Sequence, residues 1–308
     1  MNRRSFLPAP IFIAPVLASL ASCGKSSKIR LALNWKPDPE FGGFYAADYK
    51  KHGLDVEILP GGAGTPTVQM VGAGSAEFGI VSSDELVLAR SKGNDVVAVF
   101  ATFQQNPLAI MAHESRHLKS IGDVVQEGTL ALQSGLPYAR LLKQKYGFDK
   151  VKIVPSPGGD IGPFLNDEMF AQQCFLTEEP LAVRRKGEKV TIFPISDLGF
   201  NPYAEVMAVS GAMLSTQPNV VKSMVAAVRE GWRTYLENPQ PVNVRMQSLN
   251  PTMDLATFNE IAEVQKPLIE AAELGSMTKE RWETLAQQLK ELGDISKTPP
   301  VEEYYRSL

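Results

Sequence analysis

Short apolar runs alternate with amphipathic segments between residues 29 and 107. The runs predict strands at 29–34, 55–59, 78–82 and 96–103, and the segments between them predict helices at about 44–52, 65–73 and 84–92. Strands that alternate with helices in this way are typical of βαβ units and a largely parallel sheet. We therefore expect an α/β lobe in this part of the chain.

A second alternation of the same kind follows. Strands are predicted at 108–113, 129–133, 152–154, 172–176 and 189–195, with one helix that opens at 134–138 and runs to residue 146 and another that ends at residue 185. The apolar run at 206–210 is interpreted as the return of the chain to the first lobe. The predicted domains are lobe I at 29–107 and 208–308, and lobe II at 108–207. Two α/β lobes joined by a two-strand hinge suggest a cleft that opens and closes.

From residue 216 on, the apolar residues recur with the spacing of α-helices. Two segments each carry apolar side chains on one face, namely Val221, Met224, Val225, Val228 and Trp232 in the first, and Trp282, Leu285, Leu289 and Leu292 in the second. We expect these helices to pack on lobe I, with Thr278 as the N-cap of the second.

Residues 1–22 have the features of an export signal. Arg3 and Arg4 form its positive end, and prolines interrupt the apolar segment, which is too short and too broken for a stable spanning helix. The string NRRSFL resembles a twin-arginine signal, and the four residues that end at Cys23 resemble a bacterial lipobox. That resemblance implies lipidation of Cys23, a tether at 23–28, and an exported protein anchored on the extracytoplasmic face of a membrane. An ordinary leader with an incidental cysteine is the alternative, and the export route stays open.

Composition and charge narrow the classes of partner. The chain has 308 residues, 44% of them hydrophobic, and a net charge of -3. Without Arg3 and Arg4 the balance is 29 basic against 34 acidic residues, or -5. This excess of acid argues against a nucleic-acid partner and against attraction to anionic lipid. With Cys23 acylated, Cys174 has no disulfide partner, and two cysteines and three histidines offer few soft metal ligands, so neither metal nor cofactor is expected.

Residues 31–47, LALNWKPDPEFGGFYAA, combine an apolar run, two prolines, two glycines and several aromatic rings within one strand-to-helix turn. Such a turn lies at the carboxyl end of a strand, where ligands bind in α/β sheets. It is interpreted as the floor of a site for a flat ring, the alternative being aromatic side chains in a core. The glycine turn that includes Gly64, with Thr65 as predicted helix cap, and the turn that includes Ser83 are expected at the same edge. The glycine spacing is not that of a nucleotide-binding loop.

His113-Glu114-Ser115-Arg116-His117 matches the HExxH string of zinc proteases. That chemistry needs both histidines on one face of a helix. Here the first histidine ends an apolar strand and no apolar helix face follows. The string is therefore predicted to be an exposed loop at a strand end.

Four segments, NWKPDPEFGGFYAA, VQMVGAGSAEFGI, AQQCFLTEEP and GFNPYAEVMAV, together resemble the solute-binding proteins of ABC importers. More narrowly they resemble the branch that binds the pyrimidine precursor of thiamine, such as hydroxymethyl- or formylaminopyrimidine. The resemblance implies the type II periplasmic-binding-protein fold, a monomer that clamps its ligand between two lobes, and delivery to a membrane permease and ATPase.

The resemblance also implies site residues. Asn34 and Trp35 correspond to a strand-end pair of which the tryptophan stacks on the ligand ring, and Tyr45 to a tyrosine at the following helix start. Tyr203 and Glu205 correspond to a tyrosine and an acid of the return segment, and a carboxylate suits an aminopyrimidine. The full predicted ligand-binding set is Asn34, Trp35, Phe41, Tyr45, Gly64, Ser83, Tyr138, Glu179, Tyr203 and Glu205.

Phe41 departs from the pattern, since this branch often carries histidine there. The related pyrimidine synthases consume that histidine and use a cysteine-rich motif for iron, which the lone Cys174 does not provide. The protein is therefore expected not to be an enzyme. Riboflavin is an alternative ligand because Phe41 gives a wider apolar face. A sulfonate or nitrate is a further alternative, although the site motifs contain no arginine.

Overall fold

The computed structural model describes residues 28–133 and 135–308, so the predicted leader, Cys23 and all but the last residue of the tether lie outside the described residues. The strands are β1 (Ile29–Ala32), β2 (Val56–Leu59), β3 (Phe78–Val81), β4 (Val96–Phe103), β5 (Leu108–His113), β6 (Thr129–Leu132), β7 (Lys152–Pro155), β8 (Phe170–Phe175), β9 (Val190–Pro194) and β10 (Ala204–Ser210).

The helices alternate with these strands and then follow one another toward the C-terminus. They are α1 (Gly42–Ala46), α2 (Thr67–Gly72), α3 (Ser83–Ser91), α4 (Ile121–Val124), α5 (Pro137–Tyr146), α6 (Gly162–Asn166), α7 (Glu179–Arg185), α8 (Gly211–Thr216), α9 (Pro218–Glu237), α10 (Gln240–Leu249), α11 (Leu255–Ile269) and α12 (Lys279–Glu291). No helix within the two described stretches combines the length and the apolar character needed to cross a membrane.

The strands form two five-stranded sheets with matching topology. The first has the order β2-β1-β3-β10-β4 and the second the order β7-β6-β8-β5-β9. In each sheet one strand, β10 or β5, runs antiparallel to both of its neighbours, and the other pairings are parallel. The predicted α/β fold with two largely parallel sheets is confirmed.

The strand directions bring distant residues to one edge of the first sheet. β1 and β3 are parallel and end at Ala32 and Val81, while β10 begins there, because Val206 pairs antiparallel with Val81. The residues just after β1 and β3 and those at the start of β10 therefore meet at this edge. In the second sheet, β8 ends at Phe175 and leads into α7, which places residues 176–179 at the corresponding edge.

Two short crossings, 104–107 and 199–203, connect the sheets, and Arg281 of α12 holds them together. Its guanidinium donates to the carbonyl of Gln104 at 2.6 Å and to the carbonyl of Asn201 at 2.6 Å. The side-chain amide of Asn106 in the first crossing donates to the carbonyl of Pro202 in the second at 2.9 Å. The predicted boundary of lobe II at residue 207 falls inside β10, which pairs with β3 and β4 of the first sheet.

The C-terminal helices pack as predicted. The five apolar residues assigned to one face of α9 are all buried, and so are Trp282, Leu285 and Leu289 of α12, whereas Leu292 is half-buried. The rings of Phe44 and Trp232 meet edge to face at 5.9 Å, which ties α9 to lobe I. The hydroxyl of Thr278 accepts from the backbone N–H of Arg281, which confirms the predicted cap.

Two local predictions were wrong in their details. Thr65 does not cap α2, which begins at Thr67; its hydroxyl instead accepts from the N–H of Gly62 and closes the glycine turn. The predicted helix at 44–52 is divided, because α1 ends at Ala46 and a separate 3-10 turn covers Lys50–His52.

Candidate functional site

The loop between β1 and α1 carries two buried carboxylates. The side chain of Asp38 accepts from the N–H of Glu40 at 3.0 Å, which starts a 3-10 turn at Pro39–Phe41, where proline suits the first position. Asp38 and Glu40 are only 2% and 7% exposed. Sequence analysis placed this segment at a ligand site but assigned no role to either acid.

Glycines and C-terminal helices hold this loop in place. A Cβ on Gly42 would lie 2.2 Å from the ring of Tyr235, and one on Gly43 would lie 2.2 Å from the ring of Trp232, so only glycine allows α1 to approach α9 this closely. Asn250 donates to the carbonyl of Pro37 at 3.0 Å and Gln265 to that of Pro39 at 2.7 Å. The loop that carries Asp38 and Glu40, which we call the acidic loop, is therefore held by the packing of α1 on α9 and by the donors Asn250 and Gln265.

Glu205 has a strained backbone and a buried carboxyl group. Its φ of 49° lies in the left-handed region, which costs about 1–3 kcal/mol for a residue other than glycine. The side-chain amide of Asn34 lies 3.4 Å from Oε1, Oε2 is buried with no partner in the described structure, and the residue is 5% exposed. Burial raises the pKa of Glu205 to about 8. Strain and a buried, half-satisfied carboxyl in one residue are typical of a functional site.

Glu178 brings a carboxylate from the second sheet to the acids of the first. Asp38, Glu40 and Glu178 each offer a carboxylate oxygen, and these oxygens lie within 4.8 Å of one another. Burial, with repulsion between the acids, raises the pKa values of Asp38 and Glu40 well above their ordinary range and that of Glu178 to about 8. We call these three residues the acidic triad.

Other polar groups lie near Glu205 or the triad without partners. Among the described residues, Asn34 Oδ1, the hydroxyl of Tyr45 and the hydroxyl of Ser83 are buried and make no hydrogen bond. Tyr45 also has the guanidinium of Arg245 5.4 Å from its ring centre. Unpartnered buried oxygens are costly, so groups of this kind indicate a place where a ligand supplies the missing bonds.

Three predicted ligand contacts, Phe41, Tyr203 and Tyr138, are buried and packed within the protein, and their roles in binding stay predictions. Phe41 is 0% exposed in the apolar cluster of lobe I, so it adds no apolar face to the cleft in this structure. Tyr203 is 2% exposed; its hydroxyl accepts from the N–H of Thr278 at 2.9 Å and its ring lies 3.8 Å from the Arg281 guanidinium, so it belongs to the hinge. Tyr138 is 1% exposed and donates to Gln173 within lobe II.

The remaining predicted residues have varied positions. Trp35 is half-buried and packs on the lobe I cluster, and the carboxylate of Glu179 accepts from the N–H of Phe175 at 2.9 Å. Gly64 lies in an exposed turn at φ 80° with open space around it. The glycine that the turn requires is Gly61, where a Cβ would lie 2.1 Å from the carbonyl oxygen of Leu33. The roles of Trp35, Glu179 and Gly64 in binding stay predictions.

The HExxH string does not form the helix that a zinc protease needs. His113 ends β5, is 5% exposed, and lies with Nε2 2.8 Å from the carbonyl oxygen of Phe164, while residues Glu114–Arg116 form a 3-10 turn. The string was predicted to be an exposed loop, which is wrong for His113 because its ring stacks on that of Phe164 at 3.9 Å. Cys174 is buried in β8, as its apolar surroundings predicted.

Two open grooves on the described surface lie elsewhere. One is lined by residues of α9 and α11 such as Arg233 and Lys266, and the other lies beside the hinge at Asn201 and Thr278. Neither groove contains any of the ten predicted ligand-binding residues. The candidate site therefore rests on the buried polar groups between the sheets.

A family profile described as NMT1/THI5 like matches residues 38–242, a span that includes the acidic loop, the triad and Glu205. The chain belongs to the NMT1/THI5-like family. It is 24% identical over 263 residues to the riboflavin-binding protein RibY of Chloroflexus aurantiacus, covering 75% of this chain and 70% of that protein. It is also 24% identical over 312 residues to the formylaminopyrimidine-binding protein of Halalkalibacterium halodurans, covering 92% of each.

A third relative is an enzyme. The 4-amino-5-hydroxymethyl-2-methylpyrimidine phosphate synthase of Legionella pneumophila is 24% identical over 110 residues, which is 34% of this NMT1/THI5-like chain and 35% of the enzyme. Among solved structures, the aliphatic sulphonate binding protein SsuA of Escherichia coli superposes with a TM-score of 0.71 at 14% identity, over 91% of this chain and 92% of that one. That likeness confirms the periplasmic-binding-protein fold.

Proposed function

We propose that the protein is the extracytoplasmic solute-binding component of an ABC importer and that it clamps an amine-bearing aromatic nitrogen heterocycle between its lobes. The observation that carries this proposal is Glu205, a strained and buried acid with one satisfied and one unpartnered oxygen. The periplasmic-binding-protein fold and the heterocycles named for two relatives support it.

The chemistry of Glu205 suits an aminopyrimidine. With its pKa raised to about 8, the acid is largely protonated at neutral pH. A carboxylic acid donates its proton to a ring nitrogen while its other oxygen accepts from the adjacent exocyclic amine. Asn34 Oδ1 and the Tyr45 hydroxyl would accept further N–H groups, and the half-buried Trp35 would provide a ring face. A thiamine pyrimidine precursor, hydroxymethyl- or formylaminopyrimidine, is the leading ligand.

Riboflavin is the second candidate, supported by the relative named for it. The argument that Phe41 widens the site no longer supports it, because Phe41 is in the core. A sulfonate or nitrate is disfavoured by the site itself. Its carboxyl groups would repel an anion wherever they ionise, and no arginine lies in an ion pair with any of them in the described part of the chain.

The remaining assignments follow from this role. The partners are a permease and an ATPase, Cys23 carries the lipid that holds the protein at the outer face of the membrane, and the protein acts as a monomer. It binds without catalysis, because Phe41 replaces the histidine that the synthases consume and Cys174 is a single buried thiol. These statements rest on the sequence motifs and on the type of protein.

Calorimetric titration with a panel of ligands tests the proposal. The panel contains hydroxymethyl- and formylaminopyrimidine, thiamine, riboflavin, cytosine, taurine and nitrate, each added in buffer with EDTA. We expect a pyrimidine to bind with sub-micromolar affinity, about 8 kcal/mol or more. Binding of taurine or nitrate alone would overturn the heterocycle, and riboflavin alone would replace the pyrimidine by the second candidate.

A further inference from the structure

Two ion pairs join the lobes away from the proposed ligand site. Arg185, in the last turn of α7 in lobe II, pairs with Glu260 of α11 in lobe I. Arg140 of α5, also in lobe II, lies with Nη2 2.5 Å from Oδ2 of Asp294, which follows α12 in lobe I. The other ion pairs among the described residues each join two residues of one lobe. In both interlobe pairs lobe II supplies the cation and lobe I the anion, so each pair attracts one lobe to the other.

The Arg185 pair belongs to a polar network at the start of α11. Nη1 of Arg185 donates to the hydroxyl of Thr257 at 2.5 Å, and that hydroxyl donates to Oδ1 of the N-cap residue Asp254 at 2.9 Å. A cation at the C-terminal end of α7 and acids at the N-terminal end of α11 also match the dipoles of the two helices. Arg185 therefore contacts lobe I through a directed hydrogen bond as well as through its charge.

The Arg140 pair lies at the opposite end of α12 from the hinge. Arg281 near the start of α12 holds the two crossings, whereas Asp294 follows the end of this helix, which a helix of 13 residues places about 20 Å away. The side chain of Asp294 is only 12% exposed, so water and salt screen its charge less than that of a surface acid. An attraction at this distance from the crossings resists rotation of the lobes about them.

The lobes also carry groups that repel one another when they meet. Glu178 of lobe II offers a carboxylate oxygen within 4.8 Å of those of Asp38 and Glu40 in lobe I. These acids favour separation of the lobes wherever they ionise. The two arginine pairs act between the same lobes with the opposite sign. The closed arrangement of the free protein therefore depends on attraction that Arg185 and Arg140 provide.

We propose that Arg185 and Arg140 are interlobe latches, which hold the free protein closed and set how readily the cleft opens to admit or release a solute. An equilibrium between open and closed forms shifts by the free energy that a contact contributes to one form alone. Both pairs can exist only while the lobes are together, so they stabilise the closed form. Neither arginine is among the residues assigned to the heterocycle, so the latches act on the motion of the lobes whatever the ligand is.

Distances between spin labels on the two lobes test the latches without any ligand. The labels are attached to Glu168→Cys, which precedes β8, and to Lys222→Cys in α9, which follows β10, at the ends of these strands away from the crossings. Both positions are exposed and form no ion pair among the described residues. Cys174 is buried and Cys23 is replaced by serine, so the two introduced thiols take the labels. Pulsed dipolar electron paramagnetic resonance then gives the ratio of closed to open protein.

The variants remove the charge of each latch and keep much of its length. They are Arg185→Gln, Arg140→Gln and the two changes together. The matched controls are Arg184→Gln in α7 and Lys143→Gln in α5, exposed cations of the same helices that form no ion pair within the described stretches. Thermal melting of each labelled protein checks that it is folded.

We expect the double variant to lower the ratio of closed to open protein by about two- to tenfold, the size expected of two partly exposed ion pairs. Each single variant should give a smaller change, and both controls should match the wild type. Arg185→Glu should open the protein further, because it places a like charge beside Glu260. Adding Glu260→Arg to that variant should restore closed protein, which a merely structural role of Arg185 would not predict.

Equal ratios in the double variant and the wild type would overturn the proposal. A control that opened the protein as much as the double variant would overturn it as well, since any loss of positive charge would then suffice. Failure of Glu260→Arg to restore closed protein would exclude the Arg185 latch. No ligand is present in these measurements, so failure of the latches leaves the proposed function to its own titration.

Discussion

The side-chain amide of Asn34 lies 3.4 Å from Oε1 of Glu205, although the two residues are 171 positions apart in the chain. Asn34 follows β1 and Glu205 lies at the start of β10, and both strands border β3. The contact leaves Asn34 Oδ1 and Glu205 Oε2 as neighbouring groups without partners in the described structure. A ligand with adjacent N–H and ring-nitrogen groups would satisfy the two together.

Glu205→Ala should weaken binding of an aminopyrimidine by about 1.5–3 kcal/mol, because the methyl side chain can neither donate to the ring nitrogen nor accept from the exocyclic amine. That loss is roughly 10- to 150-fold in the dissociation constant measured by calorimetry. Glu168→Gln changes an exposed acid of lobe II that is not among the predicted contacts, and it should bind as the wild type does. Equal affinities for the Glu205 variant and the wild type would remove Glu205 from the site.

The stability of the free protein should fall as the pH rises from about 5 to 8.5. Glu205 has an ordinary pKa of 4.5 when unfolded and about 8 when folded, so the folded state binds the proton more tightly and gains stability that is complete below pH 4.5 and lost toward pH 8. Glu85 on α3 and the acidic triad face Glu205 with charge of the same sign, and burial raises the pKa of each of these acids too.

Chemical denaturation at several pH values measures this effect. We expect the free energy of unfolding of the wild type to drop by a few kcal/mol over that range and that of Glu205→Gln to drop by roughly 1–3 kcal/mol less. A wild-type stability that is flat or rising between pH 5 and 8.5 would contradict the burial of these carboxyl groups.

The sequence predicted the fold and part of the site because both depend on local patterns. Alternation of apolar runs with helical spacing predicted all ten strands to within two residues at each end, and the periodicity of α9 predicted its buried face. Asn34 and Glu205 were predicted through a resemblance that covers their segments. The left-handed φ of Glu205 leaves no mark in the sequence.

The acidic triad could not be predicted because it depends on how two lobes meet. Asp38 and Glu178 are separated by 140 positions, and each alone reads as a surface acid near a turn. Likewise the contact of Tyr203 with Trp282 and the hydrogen bond from Tyr138 to Gln173 join residues that are distant in the sequence, so no local pattern could predict them.

Gly43→Ala should destabilise the protein by about 1–3 kcal/mol or more, because the added methyl group would lie 2.2 Å from the Trp232 ring and two packed helices must move apart. Urea denaturation measures the loss. Gly62→Ala is the control, since a Cβ there meets nothing within 4 Å and no left-handed φ is involved. If both variants were equally stable, the close approach of α1 and α9 would be in error.

Arg281→Met should loosen the hinge. The change removes the donors that hold the carbonyls of Gln104 and Asn201, and the side chain of Met cannot replace them. We expect a loss of about 1–3 kcal/mol in unfolding free energy and faster amide hydrogen exchange at 199–203. Arg306→Met is the matched control, because Arg306 is exposed and its guanidinium bonds only to the adjacent carbonyl of Tyr305. Exchange at the hinge that is unchanged in Arg281→Met would contradict this role.

Trp35 should report ligand binding by its fluorescence. The chain has three tryptophans, and Trp232 and Trp282 are 0% exposed in the core, so Trp35 alone is half-buried beside the proposed site. A stacked pyrimidine should change the emission of the wild type, whereas Trp35→Phe should show little change and Trp35→Ala should lose about 0.5–1.5 kcal/mol of binding free energy beyond the buried area. The two buried tryptophans serve as an internal control for unfolding. An emission change that persists in Trp35→Phe would place the ring of the ligand elsewhere. An unchanged affinity in Trp35→Ala would exclude the stacking contact and leave Glu205 as the principal support for a heterocycle.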